Sequence, residues 1–255
     1  MSKRPEAYKA HRLHVAWVQF LTALFTLIAC LRIFGIILFM PDKRARFDRV
    51  MRFWARRLLI PTGLNIKVNN PINQAFDNHE RIILMVNHSS LYDIPVSFLA
   101  IPGSIRMLAK KELFRIPIFG QAMRACGMVS IDRHNREQAK KDLQNAREQL
   151  ESGTVLWIAP EGTRSKDGKL HSFKKGGFYL ALETEAIIIP VAICGINDVL
   201  PSNSLDLVIN GEVVVNVGEA IDASEYSKDT REDLIERVHQ SISHMLSRGD
   251  EYGNE

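Results

Sequence analysis

An alternation of segment types constrains this chain's fold more than any other feature. Largely apolar runs of strand length, Leu64–Val68, Arg81–Val86, Ile105–Leu108, Met128–Ile131, Val155–Ala159 and Ile187–Ile193, are separated by helical stretches near 92–101, 117–125, 135–151 and 173–184. Short β-branched runs without polar alternation suit strands covered on both faces, and strands that alternate with helices become parallel neighbours through crossovers. The expected fold is therefore α/β, a layered and mostly parallel sheet flanked by helices. The 135–151 stretch is mostly charged, with Leu143, Ala146 and Leu150 as its inward stripe. Leu205–Ile209 and Val213–Val217 flank Asn210-Gly211, a dipeptide favoured in two-residue turns, so a hairpin is expected there. A last helix over 230–247 carries Leu234, Ile235, Val238, Ile242, Met245 and Leu246 on one face. The sequence holds no internal repeat and no low-complexity tract.

The first quarter of the chain has a different character. Residues 15–40 are mostly apolar, interrupted by Gln19 and Arg32 and closed by Pro41. As one helix they would run about 39 Å, against a bilayer core of roughly 30 Å. Arg32 inside the run and the basic segment after it argue against a secretory signal peptide. From 43 to 60, Phe47, Val50, Met51, Trp54, Leu58 and Leu59 recur at helical spacing among Arg44, Arg46, Arg49, Arg52, Arg56 and Arg57. That pattern predicts an amphipathic helix lying in a membrane surface; the alternative is a helix packed on the domain. Residues 1–60 hold 12 Lys/Arg and 3 Asp/Glu, a net of +9, and the remainder nets −5, which together give the chain's +4. A stretch both basic and apolar points to anionic lipid and away from nucleic acid. Basic residues flank the apolar run on both sides, so charge gives no orientation; one solution is that 15–40 dips into a single leaflet. The expected organisation is a membrane anchor over 1–60 and a domain over 61–255, with the boundary at Pro61-Thr62-Gly63. Cys30, Cys126 and Cys194 are widely spaced in apolar contexts and read as buried thiols in a reducing compartment.

Two polar stretches carry the chemistry. Asn87-His88-Ser89-Ser90-Leu91-Tyr92-Asp93 follows the strand candidate 81–86. The loop after a strand is where open α/β folds place their active groups. An imidazole titrates near neutrality and can take a proton from an alcohol, and an Asp a few residues on can hold one ring nitrogen and free the other. The competing reading is a helix N-terminus capped by Ser89, Ser90 or Asp93, with His88 merely solvated. Pro160-Glu161-Gly162-Thr163-Arg164-Ser165 follows the candidate 155–159. Gly162 permits close backbone approach, the Arg164 fork fits a phosphate, and Glu161 could orient that Arg or accept from a substrate hydroxyl. Lys110 and Arg133 also sit at strand ends and could join a cationic pocket for a phosphomonoester. Leu170 occupies the position where a phosphate loop needs Ser or Thr, and the chain holds no G-x-S-x-G elbow. His88, Asp93, His134 and His171 match no recognised metal-ligand pattern.

Together these residues resemble the glycerolipid acyltransferase family, specifically the 1-acyl-glycerol-3-phosphate acyltransferases. Its N-H-x-x-x-x-D motif is met by Asn87, His88 and Asp93. Its K-x-E-L…P…G…I-D-R pattern is met by Lys110-Lys111-Glu112-Leu113, Pro117, Gly120 and Ile131-Asp132-Arg133. Its P-E-G-T-R-S is met by Pro160 through Ser165, and its Pro-bearing apolar strand by Ile188-Ile189-Pro190-Val191. The four motifs fall in the family's order over roughly 65–200; Ala159 stands where the family often has Phe. The resemblance implies transfer of an acyl chain from a thioester, on acyl carrier protein or coenzyme A, to the sn-2 hydroxyl of lysophosphatidate, giving phosphatidate. It implies a membrane-bound enzyme with an N-terminal two-helix anchor, its catalytic domain facing the cytoplasm, with neither cofactor nor metal. His88 would be the general base and Asp93 its orienter. Glu161, Gly162, Thr163 and Arg164, with Lys110 and Arg133, would bind the acceptor. Competing functions are an acyltransferase for another lyso-lipid, such as a lyso-ornithine lipid or lysophospholipid, and a non-catalytic lipid-binding protein on the same fold.

Overall fold

A computed structural model describes residues 5–69, 81–132 and 136–252. In chain order the elements are β1 (Tyr8–Lys9), α1 (Arg12–Phe39), α2 (Arg44–Leu59), β2 (Asn65–Asn69), β3 (Ile82–Val86), α3 (Asp93–Ala100), β4 (Ile105–Lys110) and α4 (Phe119–Ala125). They continue with β5 (Val129–Ile131), α5 (Arg136–Glu151), β6 (Val155–Ile158), α6 (Gly176–Thr184), β7 (Ile187–Cys194) and α7 (Ile196–Val199). The last are β8 (Val208–Ile209), β9 (Glu212–Val217), β10 (Ile221–Asp222) and α8 (Arg231–Tyr252). The main sheet runs β2-β9-β7-β3-β6-β4-β5, with β10 also on β7. From β7 through β5 all neighbours are parallel, whereas β9 lies antiparallel to β7. The α/β expectation therefore holds, with a mixed edge added.

Alternate residues of the central strands feed two cores. Ile82, Leu84 and Val86 pack with Trp157, Ile189 and the helices α1 to α4. Ile83 and Met85 pack with Leu156, Ile188 and the helices α5, α6 and α8. This two-sided burial is why the sequence shows continuous apolar runs instead of alternation. Ala146 and Leu150 of α5, and Leu234, Val238 and Ile242 of α8, are buried as their spacing predicts. All three cysteines are buried.

Pro190 sits inside β7 at a place built to accept it. β10 pairs with Ile187 and Ile188, and β9 pairs from Val191 onward. The missing Pro N–H falls at the junction between them, where the Pro190 carbonyl accepts from Gly218 N–H at 2.9 Å.

Two expectations need correction. Val208–Ile209 and Glu212–Val217 form no hairpin. β8 pairs with β1, while β9 has β2 on one edge and β7 on the other. With both edges of β9 taken, the segment before Asn210 has no strand to join there. Asn210 alone takes a positive φ, 58°, and its N–H goes to Thr62 O at 2.8 Å. The second correction concerns α2, whose apolar stripe does not face outward. Phe47, Val50, Met51, Ala55 and Leu59 are buried in the first core, and Leu58 is buried as well. Several of its charges serve the domain as well. Arg52 donates to Phe98 O at 2.8 Å and Gly103 O at 3.0 Å, capping the end of α3. Arg44 reaches Ser104 Oγ at 3.2 Å and the carbonyls of Ser152 and Gly153. Asp48 pairs with buried Arg106 of β4 at 2.7 Å. Helical spacing shows an apolar face but not what covers it, and here the catalytic domain covers it.

Helix α1 is the reverse case. Its 28 residues are long and apolar enough to cross a membrane, yet only 17% of its most apolar window is buried. Val18, Ala29, Cys30 and Ile33 face the domain, while Leu13, Trp17, Phe20, Leu24, Leu27 and Leu31 form an exposed stripe.

Candidate active site

β3 and β6 are parallel neighbours, so the loops that leave them emerge side by side at one end of the sheet. Asn87 continues the line of β3 and closes its end onto β7. Its side chain donates to Ile193 O at 3.1 Å and accepts from Ile193 N–H at 2.7 Å. His88 then turns out of the strand. Its Nδ1 lies 2.6 Å from Asp93 Oδ2, and the same oxygen accepts the N–H groups of Ser89 and Ser90 at 2.9 Å each. Asp93 is fully buried at the first turn of α3. Asp93 therefore orients His88 and ties down the loop before α3, but it does not cap the helix, whose N-cap is Tyr92 with no side-chain cap bond. With Nδ1–H donated to Asp93, Nε2 of His88 carries the free lone pair.

Trp157 of β6 holds the ring from the side. The Trp157 and His88 centroids are 5.7 Å apart at 85°, an edge contact. Trp157 Nε1 donates to Ser97 Oγ at 3.0 Å, and Ser97 Oγ donates to Asp93 O at 2.7 Å. The motifs contain neither residue. Ser97 lies four residues after Asp93, one helical turn on, which is the one signal the sequence offered for it. Ser89 and Ser90 are both buried, and Ser90 Oγ donates to Leu200 O at 2.7 Å.

The loop after β6 docks on the His88 loop through Ser165 N–H, which donates to His88 O at 2.7 Å, and is closed on itself by Lys174 N–H donating to Pro160 O at 2.7 Å. Gly162 takes φ 78°, and its N–H closes a turn onto Ala159 O at 3.0 Å. A side chain there would be strained by that φ and would meet Lys174 Cγ at 3.2 Å. Glu161 is buried. Its Oε1 accepts from His88 N–H at 2.9 Å and its Oε2 from His171 N–H at 3.0 Å. Burial pushes its carboxyl pKa up, and those two N–H groups pull against the rise. Thr163 is exposed and its hydroxyl donates to Arg164 O at 3.4 Å; the half-buried Arg164 side chain makes no hydrogen bond or ion pair among the described residues.

The sequence-predicted residues thus separate into two groups. Asn87, Glu161 and Asp93 Oδ2 are engaged within the protein, and Asp93 Oδ1 is buried without a partner among the described residues. His88 Nε2 and the Arg164 side chain remain for a ligand. Lys110 is exposed at the end of β4, beyond β6 in the sheet. Its neighbour Lys111 pairs with Asp132. Arg133 lies outside the described residues. The assembly can take a proton from a hydroxyl at His88 Nε2, with a cationic fork nearby on the loop bonded to His88's own carbonyl.

The model of the Acyltransferase family matches residues 65–194. The 1-acyl-sn-glycerol-3-phosphate acyltransferase of Haemophilus influenzae is 33% identical over 200 residues, covering 78% of this chain and 81% of that protein. That of Salmonella typhimurium is 30% identical over 233 residues, covering 90% and 91%. With the chloroplastic enzyme of Arabidopsis thaliana identity is 30% over 203 residues, and the match spans only 56% of that longer protein. The crystal structure of the 1-acyl-sn-glycerophosphate (LPA) acyltransferase, PlsC, from Thermotoga maritima superposes with a TM-score of 0.79 at 25% identity. That match covers 92% of this chain and 94% of the other.

Proposed function

This chain belongs to the Acyltransferase family, and from that premise we propose that it moves a fatty acyl chain from a thioester to the sn-2 hydroxyl of lysophosphatidate, forming phosphatidate. The observation that carries the reading is the His88–Asp93 pair at 2.6 Å, set at the end of a central parallel strand in an acyltransferase sequence. His88 Nε2 removes the sn-2 hydroxyl proton as the oxygen attacks the thioester carbonyl. The C–S bond then breaks, and the imidazolium returns the proton to the departing thiolate. Asp93 keeps Nδ1–H donated and stabilises the imidazolium charge. A thioester is already activated, so a base and correct positioning supply the main requirements. The donor is an acyl thioester of acyl carrier protein or coenzyme A.

In this reading Arg164 receives the acceptor's phosphate, assisted by Thr163 and Gly162, with Lys110 and Arg133 as further cations. Arg164→Ala is expected chiefly to raise the KM for lysophosphatidate, because a charge-assisted contact exists in both ground and transition states. Arg164→Lys should recover it only in part, since an ammonium lacks the planar fork. An unchanged acceptor KM in both variants would place the phosphate elsewhere. The exposed stripe of α1 lies in the bilayer, holding the cleft at headgroup level on the cytoplasmic side, where thioester donors are found. The product assay decides the function. Purified protein, an acyl thioester of either coenzyme A or acyl carrier protein, and a panel of lyso-lipids are combined and the product masses read. Phosphatidate should dominate; a diacyl product from a lyso-ornithine lipid or a lysophospholipid, but not from lysophosphatidate, would replace the acceptor. No product from any acceptor with either donor would leave a lipid-binding protein.

A further inference from the structure

Accepting the acyl-transfer reading, we infer that Glu161 is a positioning residue that fixes the main chain of His88, and that it does not bind the acceptor. Both carboxylate oxygens are already engaged. Oε1 accepts His88 N–H at 2.9 Å and Oε2 accepts His171 N–H at 3.0 Å, with the residue only 5% exposed. The carbonyl of His88 accepts Ser165 N–H at 2.7 Å. The backbone of His88 is thus gripped from both sides by the Pro160–Ser165 loop, through Glu161 on its N–H and Ser165 on its C=O. Asp93 and Trp157 hold the imidazole itself. Between them these contacts fix the backbone and the ring, so Nε2 has one position relative to the loop that carries Arg164.

A carboxylate suits this task because it accepts at both oxygens. A carboxamide of equal size accepts at one and turns an N–H2 toward the other amide. Each oxygen keeps a lone pair, but with the residue buried a substrate hydroxyl has no open approach to it. A carboxylate turned toward a phosphate would also repel it.

The test separates turnover from binding. Glu161→Gln should lower kcat by about 10–100-fold, the scale of a misplaced catalytic group. The KM for lysophosphatidate should stay within about twofold of wild type. Added to His88→Ala, it should lower turnover no further, because both changes act on one group. A raised KM with unchanged kcat, or an additive loss in the double variant, overturns the assignment. Amide exchange on the wild-type protein gives a reading that needs no variant to fold. The His88 and His171 N–H groups should exchange slowly in the free protein and remain slow when lysophosphatidate is added in mixed micelles. Faster exchange on adding the lipid would mean that Glu161 leaves them for the ligand. If the wild-type protein transferred no acyl chain, the reaction would fall, while slow exchange at these two amides would still report the clamp.

Discussion

Replacing His88 by Ala should lower turnover by about 10²–10⁴-fold, the usual weight of general-base catalysis, and leave folding and membrane association unchanged. The fold should survive because the side chain's one hydrogen-bonding partner does not depend on it. Asp93 Oδ2 keeps the N–H groups of Ser89 and Ser90 at 2.9 Å when the imidazole is removed. Asp93→Asn tests the other half of the pair in a different way. An amide oxygen placed at Oδ2 could still accept all three donors, so orientation is largely kept while the charge that stabilises the imidazolium is lost. The Asn N–H2 would then occupy the place of Oδ1, which is buried without a partner among the described residues. Turnover should fall by about 10²-fold or more, with some loss of stability. Steady-state rates at saturating donor check both variants, and near-wild-type turnover in either would remove that residue from the mechanism.

Deleting residues 1–60 should abolish folding, not release a soluble active domain. The reason is α2, five of whose six buried apolar residues belong to the same core as Leu84, Val86 and Trp157. Truncating one buried Leu, Met or Phe costs about 2–5 kcal/mol, and a domain of this kind is stable by only about 5–15 kcal/mol. The deletion removes all six at once. It also strips Arg106, 2% exposed, of Asp48, and an unpaired buried cation adds a further loss of about 3–5 kcal/mol. A 61–255 fragment that stays soluble and melts cooperatively would contradict this. Membrane attachment is better tested on the exposed stripe of α1, which the core does not use. Changing Leu24, Leu27 and Leu31 to Gln should leave the thermal melt near wild type and reduce sedimentation with liposomes at both low and high salt, since hydrophobic insertion is not screened. Unchanged sedimentation would move the membrane contact to another surface.

The two N-terminal helices show where sequence reading ends. Both present an apolar face, and periodicity treats them alike. Which face meets protein and which meets lipid depends on the shape of the domain beneath, a tertiary fact that no local pattern carries. The hairpin at Asn210-Gly211 failed for a related reason. Turn chemistry predicts a local pairing, but β2, far away in sequence, and β7 claim both edges of β9. The strands themselves were legible because burial on both faces demands continuous apolar runs. In the site, residue identity and order marked His88, Asp93 and the Pro160–Ser165 loop. What each polar atom does was less visible. Glu161 looked like a ligand for substrate because acidic side chains in catalytic loops often are, and only its two backbone partners reveal another use. Trp157 looked like an ordinary strand residue, and its contact with His88 depends on the register between β3 and β6.

The account rests on direct attack of the lipid hydroxyl, with no acyl group held by the protein. Free thiol released from acyl-coenzyme A measures this most directly, with an acyl carrier protein thioester run in parallel. With lysophosphatidate present, thiol release should match phosphatidate formed mole for mole. Without acceptor, or with an analogue lacking the sn-2 hydroxyl, no thiol should appear, because Ser89 and Ser90 are buried and the base has no alcohol to activate. A stoichiometric burst of thiol in the absence of acceptor would mean an acyl-enzyme intermediate, and would contradict the mechanism.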